Sequence, residues 1–375
     1  MHIYYARISS ITTTLATLAI LTAGSSAIAD PIIDGISTVS TAGGQFIEIS
    51  GSGFTEGPNV ILFDDFETGK LGNYVLPESA RIGSWNAVPE TSAKPYYVQE
   101  SPNNLGFLAR DLSMPQGSQR PILKLAFGDS YQEVFLSYSV KVPEDRFFSG
   151  AAEDRACPDS SSWKFVWLMS SEGLRSNDGL LDLAIPSHVG GGSFLIGGND
   201  GNVTWIASGD SWWSWHNFNN MAFHIKIDEL NPTATPVNWS FETVSTKHVG
   251  IASGKADSAA FSSTDYQFDK LHVPGWWGNG DTTNFQAIYD NVYVAVGKNA
   301  QSRIIATDNE SFTESTMSMT LPPQSWSDSR ILIDFDLIPS WDQVFLHAVD
   351  TNGNRTTTGK ALCPKCPVAI DAQVK

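Results

Sequence analysis

Apolar and polar residues alternate with a period of two through almost the whole chain, and no long segment carries the apolar stripe of an amphipathic helix. Clear examples are Glu133–Val142, Met221–Asp228 and Phe285–Val296. Stretches rich in Gly and Asn, such as Gly278-Asn279-Gly280-Asp281, separate these segments and favour tight turns. The pattern predicts an all-β chain built from hairpins.

The composition limits what such a chain can bind. Of 375 residues, 40 are Asp or Glu and 23 are Lys or Arg, which gives a net charge of −17. An acidic protein is a poor partner for phosphate groups, so we expect no nucleic-acid binding. The 12 Trp, 10 Tyr and 20 Phe provide rings both for β-sandwich cores and for ligand contact.

Residues 1–29 have the features of a secretory signal. Arg7 precedes the short apolar segment Ile11–Ala23, and Ala27-Ile28-Ala29 fits a cleavage site after Ala29. The alternative is a membrane anchor, but no other run approaches the about 20 apolar residues of a spanning helix. We therefore expect a mature chain that is exported to the periplasm, the cell surface or the medium.

The chain has three cysteines, and two of them lie in the tail formed by residues 363–375. In an exported protein, Cys363 and Cys366 are expected to form a small local disulfide. Cys157 is then either free or an alternative partner for one of the tail cysteines.

Both ends of the remaining chain carry motifs of one family. The Gly43-Gly44 turn and the following Ile49-Ser50-Gly51-Ser52-Gly53-Phe54 resemble the opening of an IPT/TIG immunoglobulin-like domain. The segments Trp326–Phe335 and Val344–Asn354 resemble the second half of that fold. The resemblance implies a single split sandwich formed by residues 30–62 and 302–362, since about thirty residues cannot bury a core alone. The alternative is two unrelated flanking pieces.

The intervening residues 63–301 begin with Asp64-Asp65-Phe66-Glu67 and end with Tyr289-Asp290-Asn291-Val292-Tyr293. These motifs resemble the first and last strands of the concanavalin A-like lectin/glucanase superfamily, which implies a jelly-roll β-sandwich inserted into the immunoglobulin-like sandwich. Related jelly rolls often hold a structural calcium here, so Asp65, Glu67 and Asp290 are candidate ligands. The alternative is that these carboxylates cap turns and face water.

Tryptophans are the candidates for sugar contact, because a flat exposed ring stacks on the C–H face of a sugar. Two alternate along one strand, and four lie among Gly, Ser, Asp and Asn residues. The six candidates are Trp163, Trp167, Trp212, Trp213, Trp276 and Trp277. The alternative is that most of them fill the ends of the sandwich.

A second set of candidates is polar. His224 and Lys226 share the polar face of the segment Met221–Asp228. In a groove with Lys164 nearby, they would suit an acidic polysaccharide, where His removes a proton beside a uronate carboxylate that Lys neutralises. The alternative is an ordinary solvated strand face.

Several catalytic motifs are missing from the sequence. The insert has no E-x-D-x-x-E spacing of retaining glucanases, and no R-x-E, Q-I-H or Y-x-K motif of alginate-lyase jelly rolls. We therefore predict a secreted bacterial protein that binds an extracellular polysaccharide. A polysaccharide lyase and a structural surface or matrix protein are the alternatives, and the sequence leaves open whether the chain is an enzyme and how it oligomerises.

Overall fold

The computed structural model describes residues 30–86, 95–100, 106–110, 122–142, 162–169, 179–186, 194–197, 203–207, 214–227, 237–256, 267–274, 276–277 and 286–362. Several predictions lie outside these residues: the signal with its cleavage site at Ala29, Cys157, Trp212, Trp213, and the Cys363–Cys366 disulfide. Within the described residues there is no α-helix and no helix that could cross a membrane.

The strands follow one another in chain order with three short 3-10 helices between them. The strands are β1 (Ile32–Thr41), β2 (Gly44–Ser52), β3 (Asn59–Asp64), β4 (Tyr96–Val98), β5 (Gly106–Arg110), β6 (Leu123–Tyr131), β7 (Glu133–Lys141), β8 (Ser162–Met169), β9 (Gly179–Pro186), β10 (Phe194–Gly197), β11 (Val203–Ala207), β12 (Phe218–Ile227), β13 (Val237–Val244), β14 (Val249–Ala256), β15 (Phe268–Val273), β16 (Trp276–Trp277), β17 (Gln286–Val296), β18 (Arg303–Thr307), β19 (Ser318–Leu321), β20 (Pro323–Trp326), β21 (Arg330–Asp334), β22 (Val344–Val349) and β23 (Lys360–Leu362). The 3-10 helices are Pro77–Ser79, Phe312–Glu314 and Phe335–Leu337. This content confirms the all-β prediction.

Two large antiparallel sheets form the centre of the molecule. The front sheet has the order β11-β10-β9-β8-β15-β6, with β16 paired to β8. The middle sheet has the order β14-β13-β12-β7-β17-β5-β4, with β3 paired to β17. Their facing sides share the first core, to which Leu125 and Leu271 contribute from the front sheet and Phe223 and Val294 from the middle sheet.

Two four-stranded sheets are here called the terminal sheets; the first combines strands from both ends of the described chain, and the second is formed by residues 303–362 alone. Their orders are β1-β2-β21-β20 and β19-β18-β22-β23. Strand β2 pairs with β21 so that Ile47 lies opposite Ile333, although 286 positions separate them in the sequence. Ile47, Ile49, Ile304 and Leu346 are buried together in a second core. The two ends therefore share both a sheet and a core.

The middle sheet is covered on both sides. Phe135 and Tyr293 lie on its second face, where they are part of the second core with the terminal sheets. Strand alternation explains this arrangement, because a strand buried on both faces places successive side chains in two different cores. The described chain is thus layered in the order front sheet, middle sheet, terminal sheets.

A buried ion cluster reinforces the contact between the middle and terminal sheets. Glu242 on β13 accepts hydrogen bonds from Arg303 on β18, at 2.9 Å, and from Arg355. Burial alone would raise the pKa of Glu242, but the two guanidinium groups lower it below its usual value. The Arg303 guanidinium lies 4.5 Å from the centre of the Phe135 ring, and that of Arg355 lies 3.5 Å from the centre of the Phe312 ring.

Candidate functional site

The outer face of the front sheet carries a row of polar and aromatic side chains. Lys124 on β6, His272 on β15 and Trp167 on β8 point away from the first core, because the apolar residues on either side of each are buried in that core. Those neighbours are Leu123 and Leu125, Leu271 and Val273, and Val166 and Leu168. The register places His272 opposite Lys124 on one side and opposite Trp167 on the other.

Lys270 completes a group that we call the front face, formed by Lys124, Trp167, Lys270 and His272. Lys270 precedes His272 by two residues on β15 and lies opposite Met169. Neighbouring strands are about 4.8 Å apart and alternate residues on one strand are about 7 Å apart. Lys124 is therefore about one strand spacing from His272 on the neighbouring strand, and Lys270 is one alternate position from His272 on the same strand.

The His272 imidazole is in an unusual environment. Its ring centre lies 6.3 Å from that of Trp167, and its buried Nδ1 has no hydrogen-bond partner among the described residues. Burial, together with the positive charges of Lys124 and Lys270, lowers the pKa of His272 to about 4. The ring is therefore neutral at neutral pH, so the positive charge of this face comes from the two lysines.

Strand β16 brings further candidates to the same sheet. Trp276 lies opposite Lys164 and Trp277 lies opposite Trp163, both on β8, in the backbone register. Four residues that the sequence singled out, from segments more than 100 positions apart, thus meet on neighbouring strands close to Trp167.

The polar candidates on β12 lie elsewhere. Lys164 is in the front sheet, whereas His224 and Lys226 are in the middle sheet on the face directed toward the terminal sheets. Glu133 joins them, with its Oε1 3.1 Å from Nε2 of His224 and its Oε2 2.9 Å from Nζ of Lys226. His224 is buried, and burial lowers its pKa against the opposing effect of Glu133. The structure therefore does not bring the three residues into one groove.

The acidic candidates near β3 and β17 are occupied by protein contacts. Asp65 pairs with Arg81, and Asp290 accepts hydrogen bonds from the backbone and side-chain nitrogens of Asn291. In the described part of the chain, no group of three or more His, Cys, Asp or Glu residues is arranged to hold a metal, and Glu67 belongs to no such group. These contacts give no support to calcium binding by Asp65, Glu67 and Asp290, which stays a prediction.

Asp64 is the carboxyl in that region whose pKa is shifted most. It is fully buried and accepts hydrogen bonds from Trp85 Nε1 and Ser79 Oγ, both at 2.8 Å, and from the backbone nitrogen of Phe66 at 2.9 Å. Burial raises the pKa of Asp64 to about 6, although these hydrogen bonds oppose the rise. Its contacts fix the loop after β3 against the first core.

Lys124, Lys270 and His272 were not among the candidates that the sequence pattern suggested. A signal was present, because Leu123-Lys124-Leu125-Ala126-Phe127 and Leu271-His272-Val273 alternate with the strand period. What the alternation does not provide is the pairing of β6 with β15 and of β15 with β8, which assembles the front face from distant segments.

Comparison with known proteins gives weak likenesses only. No protein-family model matches the chain, and no curated protein matches it. An endo-β-1,4-glucuronan lyase from the fungus Trichoderma reesei is 13% identical, with 56% of this chain and 91% of that chain covered and a TM-score of 0.36. An alginate lyase from Chlorella virus is 11% identical, with 56% and 93% covered and a TM-score of 0.39. The receptor-binding domain of botulinum neurotoxin type G is 9% identical, with 77% and 72% covered and a TM-score of 0.40. With TM-scores this low, the likenesses support no conclusion about activity.

Proposed function

We propose that this protein is exported and binds an acidic, uronate-containing polysaccharide on its front face. The observation that carries the proposal is the placement of two lysines around the Trp167–His272 pair on a chain whose net charge is −17. Two lysines close together on an acidic protein favour anionic ligands, and Asp182, which lies opposite Trp167 in the backbone register, is an acidic residue beside them.

The four side chains divide the recognition of a uronate sugar between them. Lys124 and Lys270 supply point charges for carboxylate groups. Trp167 offers apolar ring surface to the C–H face of a sugar, and the neutral imidazole of His272 offers a hydrogen bond to a hydroxyl or carboxylate. An exposed ion pair contributes only about 0.2–1 kcal/mol, so one sugar binds weakly and a polymer binds through several contacts.

We further propose that the exported chain folds into two units. Residues 63–301 form a concanavalin A-like jelly roll, and residues 30–62 with 302–362 form a split IPT/TIG-like sandwich around it. The β2–β21 pairing and the second core support the split, because both need residues from each end. A secretory signal at residues 1–29 fits an extracellular ligand.

A second candidate function is cleavage of the same polysaccharide by β-elimination, and the neutral imidazole of His272 beside Lys124 and Lys270 favours it. The neutral imidazole takes the proton from the carbon next to the uronate carboxylate. The released electron pair forms the C4–C5 double bond, the C4–O bond breaks, and the leaving alkoxide oxygen takes a proton from water and becomes an alcohol. A pKa of about 4 makes His272 a weak base, but a carboxylate bound beside it raises that pKa.

A binding titration tests the main proposal. Isothermal titration of polyuronate and of a neutral glucan should show affinity for the polyuronate alone, and this affinity should fall as salt rises. The double variant Lys124→Gln/Lys270→Gln should lose at least about tenfold, whereas the control Lys247→Gln, an exposed lysine on the turn between β13 and β14, should not change it. Equal affinity of the double variant would refute the front-face assignment.

The same samples separate the three classes of function. Absorbance near 235 nm that rises with polyuronate, and that is lost in His272→Gln, supports cleavage. Binding without new absorbance removes the lyase candidate. Binding to no glycan removes both proposals and leaves a structural surface protein.

A further inference from the structure

Exposed apolar side chains are concentrated in one loop. Among the described residues, five large apolar side chains are more than half exposed: Ile32, Leu71, Tyr74, Leu76 and Ile251. Leu71, Tyr74 and Leu76, which are 53–55% exposed, lie within six residues of one another and are here called the side patch. Single exposed apolar residues are ordinary on protein surfaces, but a cluster of them marks a contact site.

The loop that carries the side patch is held firmly. The backbone nitrogen of Val75 donates to Pro95 O at 3.0 Å, that of Gly72 donates to Tyr97 O at 3.0 Å, and that of Tyr97 donates to Asn73 O at 2.9 Å. Val75 is itself buried in the first core. The exposed side chains are therefore presented from a fixed backbone, which reduces the entropy lost on binding a ligand.

A short hydrogen-bonded path connects the side patch to the front face. Pro77, which follows Leu76, accepts a hydrogen bond from Trp85 N at 2.8 Å. The next residue, Asn86, donates from its backbone nitrogen to Lys124 O, also at 2.8 Å. From the spacing of bonded and paired residues, the Cα atoms of Leu76 and Lys124 are within about 18 Å of each other along this path.

We propose that the side patch is a second subsite for the polysaccharide bound at the front face, where it contacts the apolar faces of the sugar rings. This inference rests on the proposed function. Three side chains are far too few for a stable protein interface, which uses about 20–30 residues on each side. A chain of sugars that leaves the front face across the edge strand β6 meets the side patch next, and a tyrosine ring with two leucines suits the C–H surface of a sugar.

The charges around the side patch predict how its contribution to affinity depends on salt. The three side chains of the side patch are uncharged, while the loop that carries them also has the exposed Lys70 and Glu78 and the half-exposed Glu67. Contact at the side patch is therefore apolar, and its contribution to affinity does not depend on salt, in contrast to the contribution of Lys124 and Lys270.

The test compares a uronate trisaccharide with the polymer. The variant Tyr74→Ala/Leu76→Ser should bind the polymer about tenfold more weakly than the wild type, at both 50 mM and 300 mM NaCl, and should bind the trisaccharide unchanged. The control Ile251→Ser removes an equally exposed apolar residue from β14 and should alter neither affinity. Circular dichroism melting checks that each variant folds.

Each other outcome overturns a defined part of the account. Unchanged polymer affinity in a folded Tyr74→Ala/Leu76→Ser variant overturns the second subsite and leaves the front face intact. A loss that disappears at 300 mM NaCl, or that extends equally to the trisaccharide, also overturns it. If the wild type binds neither polymer nor trisaccharide, the proposed function itself fails.

Discussion

Replacing Glu242 with Gln should cause a large loss of stability, because this carboxylate accepts hydrogen bonds from two arginines between the middle and terminal sheets. Arg303 is only 2% exposed, and both guanidinium groups donate to the same carboxylate oxygen of Glu242. Removing one partner of a buried ion pair costs about 3–5 kcal/mol, since it leaves an uncompensated charge away from water. Here two positive charges are left, so the loss should reach the upper part of that range.

Thermal and urea unfolding measure this loss. For a domain of 150–250 residues, 1 kcal/mol shifts the melting temperature by about 2–4 °C, so a loss of 3–5 kcal/mol corresponds to a fall of roughly 10 °C. Arg330 and Glu48 provide a matched control, because Glu48→Gln breaks a pair whose arginine is 56% exposed and should cost less than about 1 kcal/mol. The variant Glu242→Met/Arg303→Met/Arg355→Met removes all three charges and should recover much of the lost stability.

The result for Glu242→Gln also has a pH dependence. Because the pKa of Glu242 is lowered in the folded chain, its stabilising effect is present above the ordinary pKa and is lost as pH falls through the folded value. The stability difference between wild type and Glu242→Gln should therefore shrink in acid. A Glu242→Gln protein within 1 kcal/mol of the wild type at neutral pH would refute the reasoning.

Three further predictions concern single positions. Asp64 has its pKa raised to about 6 by burial, so its own contribution to the free energy of unfolding should fall by about 3 kcal/mol as pH rises from 4 to 6, and the stability difference between wild type and Asp64→Asn in urea titrations should change by that amount. His347 is fully buried with its pKa lowered to about 4, so its contribution has the opposite sign: it should fall by about 3 kcal/mol as pH falls from 6.5 to 4, measured as the change in the stability difference between wild type and His347→Gln. Gly83 has a φ of +71°, and an added Cβ would lie 2.1 Å from Ile61 O, so Gly83→Ala should lower the melting temperature; an unchanged melting curve would contradict the backbone described here.

The strand pattern could be predicted because it is local. The segments Glu133–Val142, Met221–Asp228 and Phe285–Val296 correspond to β7, β12 and β17 within a few residues. Alternation indicates that each strand has two different faces, and this property does not depend on what the strand packs against. Local pattern therefore led directly to the all-β class.

The location of the site could not be predicted in the same way. His224 with Lys226 and His272 with Lys270 have the same local pattern, a His and a Lys two residues apart on one face of a strand. Only the tertiary structure distinguishes the two pairs. The terminal sheets cover the face that carries His224, whereas Lys124 on the front face is exposed. Sheet order is a property of the whole chain, so no local motif contains it.

The acidic residues after β3 illustrate the same limit. The sequence suggested a calcium site formed by Asp65, Glu67 and Asp290; in the structure Asp65 pairs with Arg81, and the neighbouring Asp64 accepts hydrogen bonds from Trp85 and Ser79. These partners lie 15 to 21 residues further along the chain. A carboxylate that is satisfied by such partners differs from a metal ligand only in its tertiary contacts.

A crystal structure of the protein with a bound uronate trisaccharide tests the central claim most directly. The account predicts sugar density on the outer face of the front sheet, with a uronate carboxylate within hydrogen-bond distance of Lys124 or Lys270 and a sugar ring against Trp167. A trisaccharide bound elsewhere on the molecule, with the front face in contact with solvent alone, would contradict it.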